Sequence, residues 1–365
     1  MNYKPLLLCL LLLLPAACKR QVEEGRPTVP LVREILSDRS DPRAQMLRGR
    51  KPASQSDITL IGSEFACDRL AEQLSFLDVQ DNVDASRMMD GLPDFAGETF
   101  VCVEDVIPYA EVLKRDGEEA LREQTLLRVL AALDTVAHIS PYDMEGLSVK
   151  PTSKMVVLAD PFLSEYGGFD VDTLFRSTQC KVPVFIPIEQ MIDQAFDQSG
   201  RWDLSVGIIC APQYDSTGLY ESIFARKAAE RGSKGASCVV FSTEQRDSVL
   251  FDFLNRYQAA GNSKPLDAIL IDDLSIDNEL IKTELAEIVS VMNESSMTLG
   301  RLVSRNFFFL DAFDTVSGQC FSFLRANNLF THNIAKPQVT VYRPVRKPES
   351  EDGSIILIPG SYVQN

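Results

Sequence analysis

The sequence predicts an α/β fold of two lobes, each a parallel sheet with helices on both faces. Length gives the lobe count: 365 residues at ~100–200 per domain is two units, each able to bury its own core. Short, near-continuous apolar runs give the strands, as expected where both faces of a sheet are covered. Amphipathic stretches at helical spacing between those runs give the alternation that builds parallel sheets.

In chain order, residues 1–17 (MNYKPLLLCLLLLLPAA) read as a signal peptide. Lys4 is the charged start, and Leu6 to Leu14 is an apolar run of nine residues, where a membrane span needs about 20. Small-small-Cys at Ala16-Ala17-Cys18 resembles the bacterial lipoprotein box, with Pro15 in place of its usual Leu, so Cys18 is the expected lipidation site. The mature protein is then exported and held to a membrane by an N-terminal lipid such as palmitate, facing the periplasm or the cell surface. Residues 18–56, rich in Arg, Pro, Ser and Glu without sustained periodicity, read as a tether.

Strands are expected at 57–61, 99–103, 154–158, 182–187, 204–210, 237–241, 267–271 and 306–310. Helical faces fall at Leu219, Tyr220, Ile223 and Phe224 before Gly232, and at Val249, Leu250, Phe253, Leu254 and Tyr257 before Gly261. A third runs through Leu280, Ile281, Leu285, Ile288, Val289 and Met292. QVTVY (338–342) and SIILI (354–358) flank a polar stretch and predict a C-terminal β-extension.

Composition excludes several functions. Lys and Arg number 36 against 52 Asp and Glu, a net charge of −16, which disfavours nucleic-acid backbones. Two histidines and no CxxC spacing argue against a metal centre or thiol redox motif, and no cofactor is expected. Six cysteines follow Cys18, at 67, 102, 180, 210, 238 and 320; those at 102, 210 and 238 sit in apolar runs and read as core thiols.

Ligands of parallel sheets gather at the carboxyl ends of strands. Here those ends are rich in acids: Glu104-Asp105, Asp160, Asp272-Asp273, Asp311. Each alone reads as a helix cap. Several converging in one cleft would shift one another's pKa and permit acid/base work.

The order of these segments resembles the aspartate/glutamate racemase superfamily, glutamate racemase in particular. ITLIGSEFACDRLAEQL stands where the family has strand-DSGxGG-helix, and Asp105 to Ala110 where it has D-x-x-x-PYG. Ala159-Asp160-Pro161-Phe162 stands for A-C-N-T, VPVFIPIE for PVxGxxEP, and Tyr214 to Tyr220 for T-x-x-SGxY. Leu266 to Ser275 stands for VDxxxLGCTH, and FFFLDAFDTVSGQCFSFL for VTLIDSxxA…LL. The resemblance spans roughly residues 57–345 and implies two pseudo-symmetric lobes: 57–189 as lobe 1, 190–300 as lobe 2, 301–345 returning to lobe 1, and 346–365 as the extension.

The resemblance does not carry the chemistry. The family racemises with two cysteines, one thiolate abstracting the α-proton while the other thiol protonates the opposite face. Here the first position is Asp160 and the second Asp273, or Asp272 on a one-residue slip; Gly62 replaces the Asp of DSG and Ser275 the His of CTH. The expectation is a racemase-like pseudoenzyme without two-thiol racemisation. It would bind a small acidic or amino-acid-like ligand, or a protein partner, through Ser63, Asp105, Tyr109, Thr217, Gly218 and Ser275. Two alternatives stand: an enzyme rebuilt on Asp160 and Asp273 as an acid/base pair, and a type-I periplasmic binding protein.

Overall fold

The computed structural model describes residues 26–242, 248–262, 264–276, 280–281, 283–284, 287, 301–331, 333–347 and 354–361. The signal peptide, Cys18, and Leu285, Ile288, Val289 and Met292 lie outside the described residues.

The stretch expected to be a tether holds two short helices, α1 (Pro30–Ser37) and α2 (Pro42–Leu47), each begun by a proline that fixes φ where no N–H is needed. Val29, Leu31, Val32, Ile35, Ala44 and Leu47 are buried in the main core. A charged clamp holds this segment down. Arg122 grips Asp170 at 2.8 and 3.1 Å and donates to the Pro27 carbonyl, while Asp170 accepts the Val29 N–H. Helices of eight and six residues are too short to show a period, so composition alone suggests a linker.

The first lobe runs β1 (Asp57–Ser63), α3 (Glu64–Phe76), β2 (Thr99–Asp105), α4 (Tyr109–Leu133), β3 (Val136–Ser140), β4 (Asp143–Val149), β5 (Ser153–Leu158), α5 (Pro161–Glu165), α6 (Gly168–Thr178) and β6 (Val184–Phe185). The second runs α7 (Pro187–Ser199), β7 (Ser205–Cys210), α8 (Leu219–Glu230), β8 (Ser237–Ser242), α9 (Val249–Ala259), β9 (Leu266–Asp272) and β10 (Val303–Asp311). Then α10 (Ala312–Ala326) leads to β11 (Gln338–Arg346) and β12 (Ile355–Pro359).

Two sheets form, in the orders β12-β11-β2-β1-β5-β6 and β10-β9-β7-β8. Every pairing within them is parallel except β11 with β12. The expected return therefore begins later than residue 301: β10 is the edge strand of the second sheet, and the chain crosses back through α10 to lay β11 beside β2. The β3–β4 hairpin has no counterpart among the expected strands; its residues Ile139, Leu147 and Val149 are exposed, so no buried apolar run marks it. The 182–187 run pairs over only two residues before Pro187 opens α7.

One hydrophobic cluster passes from Val101 and Leu158 of the first sheet through Met191 and Ile192 of α7 to Ile208 and Leu270 of the second. The lobes thus share a packed core, and the carboxyl ends of their strands meet above it. Among the described residues no helix is long and apolar enough to cross a membrane.

Candidate functional site

Four of the strand-end acids and hydroxyls cap the helix or turn that succeeds their strand. Ser63 accepts from the Ala66 N–H, Asp160 from Phe162, Asp311 from Asp314, and Asp273 from Ser275. A helix N-terminus leaves unpaired N–H groups, and a short acidic or hydroxyl side chain is the residue type that satisfies them. Asp160 does something more.

Its second oxygen, Oδ2, accepts the hydroxyl of Tyr214 at 2.6 Å. Tyr214 belongs to the turn after β7, in the other lobe, so this bond ties the lobes together. The Tyr214 ring lies 5.9 Å from Phe162 and stands edge-on to Tyr220 at 6.2 Å. Tyr220 in turn donates to Asp272 Oδ2 at 2.9 Å. The result is a chain of groups, Asp160–Tyr214–Tyr220–Asp272, running from one sheet's carboxyl edge to the other's.

Between the lobes remains a cavity of about 30 Å³, lined by Ser63, Ala159, Gln213, Tyr214, Asp272 and Asp273 among others. That is room for about two water molecules. None of its lining residues is a lysine or arginine.

Electrostatics follow from the burial. Loss of solvent pushes Asp160 up to about 6, against the bonds from Tyr214 and the Phe162 N–H, with Asp105 adding a little. Burial likewise pushes Asp272 up to about 7, opposed by the Tyr220 bond and reinforced by Asp160 and Asp273. Both phenols are held well above their ordinary value by burial and by the aspartate each one contacts, so both remain donors. Cys210, at the end of β7, is the thiol beside this site; burial first, then Asp272, Asp215 and Asp273, push its pKa up. A thiol so placed stays protonated and is a poor base.

Of the residues singled out from sequence, the structure brings Ser63, Asp160 and Asp273 to the inter-lobe region. It links Asp160 through the tyrosines to Asp272, the one-residue alternative, while Asp273 accepts both the N–H and the hydroxyl of Ser275. Asp105 and Tyr109 stand apart from the cavity. Asp105 takes the Tyr109 hydroxyl at 2.5 Å and a two-pronged contact from Arg128 at 2.6 and 2.5 Å. Thr217 and Gly218 are exposed and shape the turn that carries Tyr214: the Thr217 hydroxyl donates to the Tyr214 carbonyl, and Gly218, at φ +72°, opens α8. Ala312, in the segment matched to VTLIDSxxA, lines the cavity; Tyr109, in the segment matched to D-x-x-x-PYG, does not.

Tyr214 and Tyr220 are visible in the sequence only as part of a turn. Their role depends on contacts 54 and 52 residues away, and no local pattern encodes that. The six cysteines after Cys18 are free thiols, five of them buried.

No protein-family model matches the chain, and no curated protein does. Among solved structures it is similar to the glutamate racemase of Francisella tularensis subsp. tularensis SCHU S4 in complex with D-glutamate, at 13% identity over 80% of this chain and 88% of that one, TM-score 0.45. It is similar also to glutamate racemase isoform RacE1 of Bacillus anthracis, at 10% identity over 80% and 89%, TM-score 0.47. A third is the glutamate racemase of Campylobacter jejuni subsp. jejuni, at 11% identity over 78% and 92%, TM-score 0.41. At such identities the likeness concerns nothing beyond fold.

Proposed function

We propose that this chain is an exported, lipid-anchored, racemase-like protein that does not racemise, and whose inter-lobe cleft takes a small ligand only after Tyr214 leaves Asp160. Export and anchoring rest on the Lys4 start, the Leu6–Leu14 run and Cys18. The observation that carries the rest is the 2.6 Å bond from Tyr214 to Asp160, made across the lobes over a cavity of about 30 Å³. A free amino acid needs several times that volume, so the closed form excludes it. The lining carries carboxylates and no cation, which favours a neutral or zwitterionic ligand over an acidic one.

Isothermal titration of the full chain and of Tyr214→Phe against amino acids and cell-wall fragments tests this. The variant loses one hydrogen bond to a carboxyl, about 1.5–3 kcal/mol, and should bind the same ligand at least tenfold more tightly than wild type. Equal affinities would remove the latch, and heat from neither protein would remove the cleft as a binding site. In deuterated buffer neither protein should exchange the α-proton of aspartate or glutamate; exchange by wild type would overturn the loss of racemase chemistry.

A second reading is favoured by one observation. Asp160 at about 6 and Asp272 at about 7 have the values a general acid and base need near neutrality. If the pair is catalytic, Asp160→Asn should abolish any turnover found for the wild type, and unchanged turnover would end that reading.

A further inference from the structure

Arg128 of α4 uses only part of its guanidinium. It is 8% exposed, and its Nε and Nη2 both donate to Asp105. A guanidinium is a flat fork, so Nη1 lies on the edge turned away from that carboxylate and carries two further N–H donors. Nη1 is buried and has no hydrogen-bond partner. A buried donor without an acceptor is costly, and native structures seldom leave one unmet.

Arg128 also lines a cavity of about 540 Å³, within the ordinary range for small-molecule sites. One face of α4 supplies Glu123, Leu127 and Arg128 at helical spacing, and α1 supplies Leu31 and Glu34. The C-terminal hairpin closes the other side: Arg346 of β11 stands opposite Ile355 of β12 in register, and both line the cavity. Ile107, 45% exposed in the turn after β2, completes the apolar wall. The acids of the lining are already engaged. Arg43 holds Glu34 at 2.6 Å, and Glu123 accepts the Leu31 N–H. Arg346 is exposed and has no partner among the described residues. The cavity therefore offers donors in want of an acceptor, beside aliphatic side chains.

We propose that this cavity binds a small aliphatic monocarboxylate, its carboxylate between Arg128 Nη1 and Arg346 and its chain against Leu31, Leu127 and Ile355. A carboxylate only accepts, and its two oxygens can take both N–H groups of Nη1 and those of a second arginine. Asp105 already neutralises Arg128, so Arg346 is the counter-charge. None of these residues lines the inter-lobe cavity, so the site is separate from the Tyr214 latch.

Calorimetry and thermal melting of the full chain at neutral pH test this with hexanoate, hexanamide and hexylammonium at matched ionic strength. Hexanoate should give saturable heat and raise Tm. Hexanamide has the same chain without the charge and should bind at least tenfold more weakly; hexylammonium should not bind. Arg346→Gln, an exposed change that the fold tolerates, should weaken hexanoate binding about tenfold. Ile107→Trp fills the cavity from its exposed side and should abolish binding while leaving the melting of the free protein close to wild type. Lys114→Gln removes the same charge near the start of α4, outside the cavity, and should leave binding unchanged. Equal affinities for hexanoate and hexanamide would overturn carboxylate recognition and leave apolar attraction alone. Tighter binding of hexylammonium would assign the cavity to Glu34 and Glu123 instead. Hexanoate binding that survives both Arg346→Gln and Ile107→Trp would place it elsewhere, and no saturable response would mean that water alone satisfies Arg128.

Discussion

Lys154→Met should cost about 3–5 kcal/mol of stability, out of the roughly 5–15 kcal/mol a protein of this kind ordinarily has. Lys154 lies on β5 with its side chain wholly buried, and its Nζ stands 2.6 Å from Glu98, also wholly buried. It donates besides to the carbonyls of Ser54 and Leu329, while Glu98 accepts the Thr331 N–H. One ammonium therefore joins the segment before β1, the segment before β2 and the chain returning after α10. Burial moves the two partners toward neutrality, the lysine down and the glutamate up, despite their mutual attraction. Desolvation outweighs the pairing, so the pair contributes little over an apolar replacement, whereas losing one partner strands a charge and two carbonyls. Urea unfolding followed by circular dichroism measures the loss. Adding Glu98→Gln to Lys154→Met should restore part of it, and a single-variant loss below about 1 kcal/mol would contradict this account.

The fold is legible where one physical signal decides. Strands covered on both faces must be apolar throughout, so ITLI, FVCV, MVVL, GIIC and AILI stand out, and all are central or near-central strands. Elements held by long-range contacts are not legible. α1 and α2 are held by core contacts of Ile35 and Leu47 and by the Asp170–Arg122 clamp on the chain entering α1, and nothing in PLVREILS announces that. The sheet to which β10 belongs is a matter of register, which its own residues do not specify. Strand-end acids are equally plain in the sequence; their convergence is not. Whether Asp272 or Asp273 joins Asp160 turns on a single residue of phase: Asp272, the last of β9, accepts the Tyr220 hydroxyl, while Asp273, just past the strand, turns to cap Ser275. Glu104 and Asp105 show the same effect: adjacent in sequence, Asp105 is held by Tyr109 and Arg128, while Glu104 lies against Arg343 and Asp68.

That phase has a measurable consequence in the pH dependence of stability. Asp160 and Asp272 are raised from 3.8 to about 6 and about 7, so in the folded state they hold protons that the unfolded chain has released. Below pH 3.8 both states are protonated and neither group affects the balance. As pH rises past 3.8 the unfolded chain ionises first, and stability falls by about 1.4 kcal/mol per pH unit per group. Asp160 stops contributing to the decline near pH 6, and Asp272 near pH 7. Other groups titrate in the same range, so the difference between wild type and a variant is the quantity to measure. Asn at either position keeps an acceptor for its tyrosine and has no charge to bury. The urea midpoint of Asp272→Asn should therefore gain on wild type steadily between about pH 4 and 7 and hold its lead above that. Asp160→Asn should do the same but level off about one unit earlier. A gap that stays constant with pH would mean that the two aspartates are ionised in the folded protein from about pH 4 upward, and that the tyrosines bond to carboxylates rather than to neutral acids.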